Sequence, residues 1–211
     1  MRRVAVIDYG MGNLRSVSKA LEAVADNHTQ ILVTADPSEI RAADHIVFPG
    51  VGAIRDCMAE LKKLELDKLI TEMASQKPFL GICLGMQALL TYSQENQGSA
   101  GLGIIDGDVV YFDQAVEQGL KVPHMGWNEV EQTTAHPLWQ DIKQNSRFYF
   151  VHSFYVKPAD KTKISGLSHY ALPFAASLAQ ENLFAVQFHP EKSQHAGLQL
   201  LKNFINWDGQ S

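Results

Sequence analysis

The chain has 211 residues, 45% of them hydrophobic and 19% charged, which suits one ordinary domain with a sizeable core, and we read residues 1–211 as that domain. A formal charge of −5, with the 18 Lys and Arg scattered along the chain, excludes the electrostatic footprint of a nucleic-acid binder or of an anionic-membrane binder. Only two cysteines, Cys57 and Cys83, exclude a disulfide framework and Cys-x-x-Cys metal spacing. The opening apolar run stops at Asp8, too short for a signal peptide or a membrane span, so a reduced, cytoplasmic, soluble protein is expected.

Val4 to Asp8 reads as a short buried strand. It runs into Tyr9-Gly10-Met11-Gly12-Asn13, a glycine-rich turn that lacks the third glycine of a dinucleotide fingerprint and the lysine of a P-loop, so a connector is preferred over a phosphate site. Apolar residues at helical spacing follow from Leu14 to Ala25. Then come a strand at Ile31 to Thr34, a turn of helix at Pro37 to Ala42, and a strand at His45 to Phe48. That strand ends in Pro49-Gly50-Val51-Gly52. Glycines on both sides of Val51 allow either a plain tight turn or a peptide flip that aims an N–H into a pocket. Helical pattern occupies Ala53 to Ser75, with Cys57 in it as a core residue.

Phe79 to Ile82 are strand formers that lead directly into Gly81-Ile82-Cys83-Leu84-Gly85, and a helix is expected from Leu84 to Tyr92. A thiol at a helix N-terminus lies where backbone N–H groups favour the thiolate and where a neighbouring donor can receive an oxyanion. On these five residues alone, a nucleophile and a buried structural cysteine are equally good readings. Alternation of strand and helix to this point predicts an α/β fold, a doubly wound, mostly parallel sheet flanked by helices, with sites beyond the carboxyl ends of its strands.

Gln94 to Gly101 reads as a loop. Strand-like runs at Asp108 to Phe112, Trp127 to Val130, Phe148 to Val156, Ile164 to Tyr170 and Phe174 to Ala179 then follow without long helices between them, which predicts antiparallel additions to the sheet. Leu183 to Phe188 returns to the core-strand pattern and delivers His189-Pro190-Glu191. In extended geometry residues two apart project to one side, so Glu191 can orient the His189 imidazole. Cys83, His189 and Glu191 together supply nucleophile, base and orienting carboxylate, which favours the nucleophile reading of Cys83. A helix from Ala196 to Trp207 closes the chain. His28, His45, His136, His169 and His195 show no ligand spacing, and neither a metal nor a cofactor is expected.

In this order, Pro49-Gly50-Val51-Gly52, Gly81-Ile82-Cys83-Leu84-Gly85-Met86-Gln87 and Phe188-His189-Pro190-Glu191-Lys192-Ser193 resemble the motifs of the triad, or class I, glutamine amidotransferases over essentially the whole chain. Three further segments, Asp8 to Asn13, Pro123-His124-Met125-Gly126-Trp127-Asn128 and Phe148 to Ser153, resemble more narrowly the glutaminase subunits of imidazole glycerol phosphate synthases in histidine biosynthesis. Phe154 stands where that group usually has Tyr. The resemblance implies that Cys83 attacks the side-chain amide of glutamine, that His189 shuttles the proton and that Glu191 steadies the imidazolium. It implies an oxyanion hole from the backbone N–H groups of Leu84 and, after a flip, Val51. It places Gly50, Gly52, Gln87, Glu95 and backbone groups of His152 and Ser153 at the glutamine. It also implies a TIM-barrel cyclase subunit as heterodimer partner, met through Asn13, Trp127 and Lys192. The rival within the family is the glutaminase of an anthranilate or aminodeoxychorismate synthase, which fits Pro123 to Asn128 less well. A non-catalytic regulatory subunit would need no triad.

Overall fold

A computed structural model describes residues 1–210. The first half winds as expected: β1 (Arg2–Ile7), α1 (Leu14–Val24), β2 (Thr29–Thr34), α2 (Pro37–Ala42), β3 (His45–Gly50), α3 (Ile54–Lys63), α4 (Leu66–Ala74), β4 (Phe79–Cys83) and α5 (Leu84–Gln87). The chain continues through β5 (Leu90–Ser93), β6 (Ser99–Ala100), β7 (Ile105–Tyr111), α6 (Asp113–Glu117), β8 (His124–Gln132), β9 (Ser146–His152) and β10 (Phe154–Pro158). It ends with β11 (Ile164–Tyr170), β12 (Leu172–Gln180), β13 (Leu183–Val186) and α7 (Gln194–Asn206).

Nine strands form the main sheet in the order β2-β1-β3-β4-β13-β12-β11-β8-β9. The first five pair in parallel and the remainder antiparallel. Side chains of β1 alternate between the two faces, as a strand requires. Ala5 and Ile7 join one core with Ile54, Leu61, Leu69 and Ile70 of α3 and α4, while Val4 and Val6 join the other with Val17 and Leu21 of α1 and Leu201 and Phe204 of α7. Helices thus cover both faces, which is why the parallel strands read as continuous apolar runs.

Several local expectations change. The pattern from Ala53 to Ser75 is two helices, broken where Glu65 takes a left-handed φ of 57°. The expected helix from Leu84 to Tyr92 stops at Gln87, and Leu90–Ser93 is a strand instead. Its partner is β7, from a second, four-stranded sheet of order β10-β7-β5-β6, so non-local pairing overrides helical propensity. The run Phe148 to Val156 divides at Ser153. Its first part, β9, ends the large sheet, and its second part, β10, pairs with β7. The expected loop from Gln94 to Gly101 contains a 3-10 turn at Glu95–Gln97 and the short β6. Among the described residues no helix is long and apolar enough to cross a membrane.

Candidate active site

Register brings the first two motifs together, since Gly50 at the end of β3 pairs with Cys83 at the end of β4. The sharp turn falls on the nucleophile candidate itself: Cys83 has φ 55° and ψ −109°, a conformation that costs a non-glycine residue roughly 1–3 kcal/mol and persists only where its surroundings impose it. Gly85 answers a different need. A Cβ there would lie 1.9 Å from the carbonyl oxygen of Phe48, so only glycine lets α5 start this close to β3. Gly50 is constrained in the same way, its Cβ position being 2.6 Å from the Tyr9 hydroxyl. That hydroxyl donates to the Pro49 carbonyl at 3.0 Å and anchors the turn from below. Burial holds the Tyr9 phenol well above its ordinary range, so it stays a donor.

Strand β13 ends at Val186, earlier than expected, and the following residues are pinned by hydrogen bonds. His189 N–H donates to Tyr149 O at 2.9 Å, and the Ser193 hydroxyl donates to His189 O at 2.6 Å. His189 Nδ1 lies 2.8 Å from Glu191 Oε1, with the two side chains 1% and 0% exposed. The expected pairing therefore forms, but a 3-10 turn at Pro190–Lys192 makes it, not an extended run. His189 Nε2 is buried with no hydrogen-bond partner, free to exchange a proton with the adjacent thiol. Burial alone would push the imidazole down. The sulfur of Cys83, as acceptor for the imidazolium, and the carboxylate of Glu191 outweigh it and raise the imidazole to about 10. His189 thus holds a proton readily at neutral pH.

A cavity of about 310 Å³ opens over these groups, lined by Val51, Gly52, Cys83, Leu84, Gln87, Glu95, Pro123, Val151, His152, Ser153, Phe154 and His189. Nearly every residue expected at the glutamine is on that wall; Gly50 lies behind it, against Tyr9 and Leu84. Leu84 is the first residue of α5, where N–H groups have no intrahelical acceptor. Glu95 also has a structural bond: its Oε2 accepts from Ile54 N at 2.9 Å, tying the cavity rim to the start of α3 just past the Pro49–Gly52 turn.

Four hydrogen-bond arrangements at the site were not legible in the sequence, although some of their residues were expected there. Gln87 Nε2 donates to Phe154 O and to Gln187 Oε1, both at 3.0 Å. Gln187, directly after β13, is 0% exposed with its Nε2 3.7 Å from Cys83 Sγ. Phe154 O also meets His152 Nδ1 at 2.8 Å, and His152 Nε2 meets His124 Nδ1 at 2.9 Å. A carbonyl only accepts, so each of these histidines carries its proton on Nδ1, and His124 Nε2 receives from Asn128 Nδ2 at 3.2 Å. Burial depresses both rings, His124 to about 4 and His152 to about 3, which keeps them neutral. The fourth arrangement is that of Asn13. It stands at the N-cap of α1 without making a capping bond. Its Nδ2 donates to Glu191 Oε1 instead.

Of the expected interface residues, Asn13 therefore faces the Glu191 carboxylate, while Trp127 and Lys192 meet across one surface ring. The rings of Trp127 and Tyr149 are 6.1 Å apart, and Lys192 Nζ lies 5.9 Å from the Tyr149 centroid. Met125 and Trp127, 61% and 38% exposed, leave this edge apolar.

The chain is similar to known proteins over its full length. A family model described as "Glutamine amidotransferase class-I" matches residues 5–207. A protein of Nitrosococcus oceani named imidazole glycerol phosphate synthase subunit HisH is 60% identical, with 100% of both chains covered. The protein of that name from Pseudomonas putida is 58% identical, again over 100% of each chain. Among solved structures, PurLQS from Thermotoga maritima superposes with a TM-score of 0.74 at 18% identity, covering 97% of this chain and 98% of its own. At that identity the likeness speaks for the fold.

Proposed function

Because the chain belongs to the class I glutamine amidotransferase family, we propose that it is the glutaminase subunit of an imidazole glycerol phosphate synthase, acting as one domain over residues 1–211. One observation carries the chemistry: a buried His189–Glu191 pair stands beside the strained Cys83 in a single cavity. In this reading His189 Nε2 takes the proton of Cys83, and Sγ attacks the side-chain carbonyl carbon of glutamine. The imidazolium then gives its proton to the leaving ammonia, and a water, deprotonated by His189, hydrolyses the glutamyl thioester to glutamate. Glu191 holds the ring in the required tautomer.

Negative charge on the carbonyl oxygen is received by the backbone N–H of Leu84 and, once the peptide turns, that of Val51. Loss of one such donor costs roughly a hundredfold or more in rate. Gly52 and Glu95 meet the amino-acid head of glutamine together with backbone groups of His152 and Ser153. Gln87, its amide hydrogens already committed to Phe154 and Gln187, offers only Oε1.

Ammonia freed into neutral water is mostly protonated and no longer nucleophilic, so it must pass directly to a second catalytic site. The relatives' names support a synthase partner, which we take to be a TIM-barrel cyclase subunit forming a heterodimer. It would bind the phosphoribulosyl carboxamide nucleotide and use the ammonia to make imidazole glycerol phosphate and an aminoimidazole carboxamide ribotide. Trp127 and Lys192 suit that interface, because their apolar and cationic surface lies on Tyr149, whose carbonyl holds the backbone of His189. The test is glutamate release from glutamine by the purified chain, alone and with the cyclase subunit and its nucleotide substrate, with Cys83→Ala as control. Strong stimulation by the cyclase, lost in the variant, is expected. Equal activity with and without the partner would refute the coupling.

A further inference from the structure

We infer that Gln187 is a further catalytic residue: its side-chain amide is the donor that receives the sulfur of Cys83 when the carbon–sulfur bond of the glutamyl thioester breaks. The inference rests on the glutaminase reading above and adds a role for a residue outside the triad and the oxyanion hole. Gln187 is fully buried, and a buried amide is rarely left without partners. Its backbone N–H goes to Ala176 O at 2.9 Å. The orientation of its side chain is imposed by a chain of donors and acceptors. Phe154 O accepts only, so the NH2 of Gln87 points to it and also reaches Gln187 Oε1. With Oε1 directed at Gln87, Nε2 must face the opposite way, where Cys83 Sγ lies at 3.7 Å.

A hydrogen bond to sulfur is weakest in a thioester, where the sulfur is neutral and its electrons are partly delocalised, and strongest in a thiolate. Acylation starts from sulfur with its electrons free, and deacylation returns to that state. In deacylation a water oxygen bonds to the thioester carbon and its proton passes to His189 Nε2. The carbon–sulfur bond then breaks, its electron pair stays on Sγ, and the imidazolium reprotonates the sulfur. An N–H aimed at Sγ therefore lowers the barrier to bond breaking without assisting bond formation. Removing it slows the second half-reaction alone.

The test compares wild type and Gln187→Met in complex with the cyclase subunit and its nucleotide substrate, with acid-quenched intact-mass measurement of the thioester. Loss of a hydrogen bond to a charged group predicts a kcat lower by about ten- to a hundredfold. KM is expected to fall with kcat, so that kcat/KM stays nearly constant while glutamyl thioester accumulates on Cys83. A merely structural role would lower kcat/KM and leave no thioester, and that result, or an unchanged kcat, overturns the inference. Should the Met variant fail to fold, Gln187→Glu keeps both the volume and the acceptor for Gln87. It is expected to accumulate thioester at high pH, where a carboxylate faces the sulfur, and to recover turnover at low pH, where a protonated O–H replaces the amide donor. A pH-independent rate in that variant overturns the inference equally. If wild type forms neither thioester nor glutamate, the glutaminase reading itself falls, an outcome distinct from either variant result.

Discussion

Acidification from pH 7 to pH 5 should remove a large, countable part of the stability of this chain. His124, His136 and His152 are buried at 4%, 8% and 6% exposure, and burial depresses them to about 4, about 4 and about 3. In the unfolded chain each titrates near 6.5, so below that pH the unfolded state binds more protons and stability falls. By pH 5 the difference is 1.5 pH units, about 2 kcal/mol per histidine at 1.36 kcal/mol per unit, hence about 6 kcal/mol for the three. His45 is shifted in the same direction and adds to this. His189 has the opposite sign. Raised to about 10, it is protonated in both states below pH 6.5, and its stabilising effect is instead lost as pH climbs from there toward 10. Natural domains hold only about 5–15 kcal/mol in all, so this loss is a large fraction of the whole. Urea denaturation followed by tryptophan fluorescence at several pH values between 7 and 5 measures the slope. His136→Asn is the control. Asparagine can still accept the Leu138 N–H that His136 Nδ1 now takes, yet it cannot titrate, so the loss by pH 5 should shrink by about 2 kcal/mol. A stability that stays flat from pH 7 to 5, or a slope unchanged in His136→Asn, would refute the reasoning.

Two further outcomes follow from the site. Cys83→Gly, though inactive, should be more stable than Cys83→Ala by about 1 kcal/mol, because glycine relieves the positive φ that alanine must still adopt; equal denaturation midpoints would remove the case for strain at the elbow. Asn13→Ala should lower glutaminase kcat in the complex by about tenfold through loss of its bond to Glu191, with little loss of helix stability since no capping bond is present. Asn13→Asp, which sets a second carboxylate against Glu191, should be worse. Full activity in Asn13→Ala would show that Glu191 needs no such support.

Local signals made much of this legible. Short apolar runs bounded by glycine and proline located β1, β3, β4 and the approach to His189, because a strand buried on both faces has few ways to be written. The elbow at Cys83 was visible for the same reason, although the sequence does not show how its glycines serve it: the positive φ belongs to Cys83, and Gly85 is there for the Phe48 carbonyl. The helix expected beyond Gln87 illustrates the limit. Ala88 to Tyr92 has nothing locally against a helix, yet Leu89 O accepts from Ile104 and Ile105 N–H groups and the chain turns into β5.

By itself the sequence determined the alternation of strands and helices in the first half, the residues we propose as nucleophile, base and carboxylate, and the motifs that mark the family, since each is written in residues close together along the chain. Only the tertiary structure decided which groups hold those three in place. Gln187 reaches Cys83 across 104 residues and Asn13 reaches Glu191 across 178. His124 and His152 meet only because β8 and β9 pair in a register that sets them opposite one another. Buried amides and imidazoles must find partners wherever folding leaves them, and that choice is made by the strand pairings and helix contacts of the whole molecule.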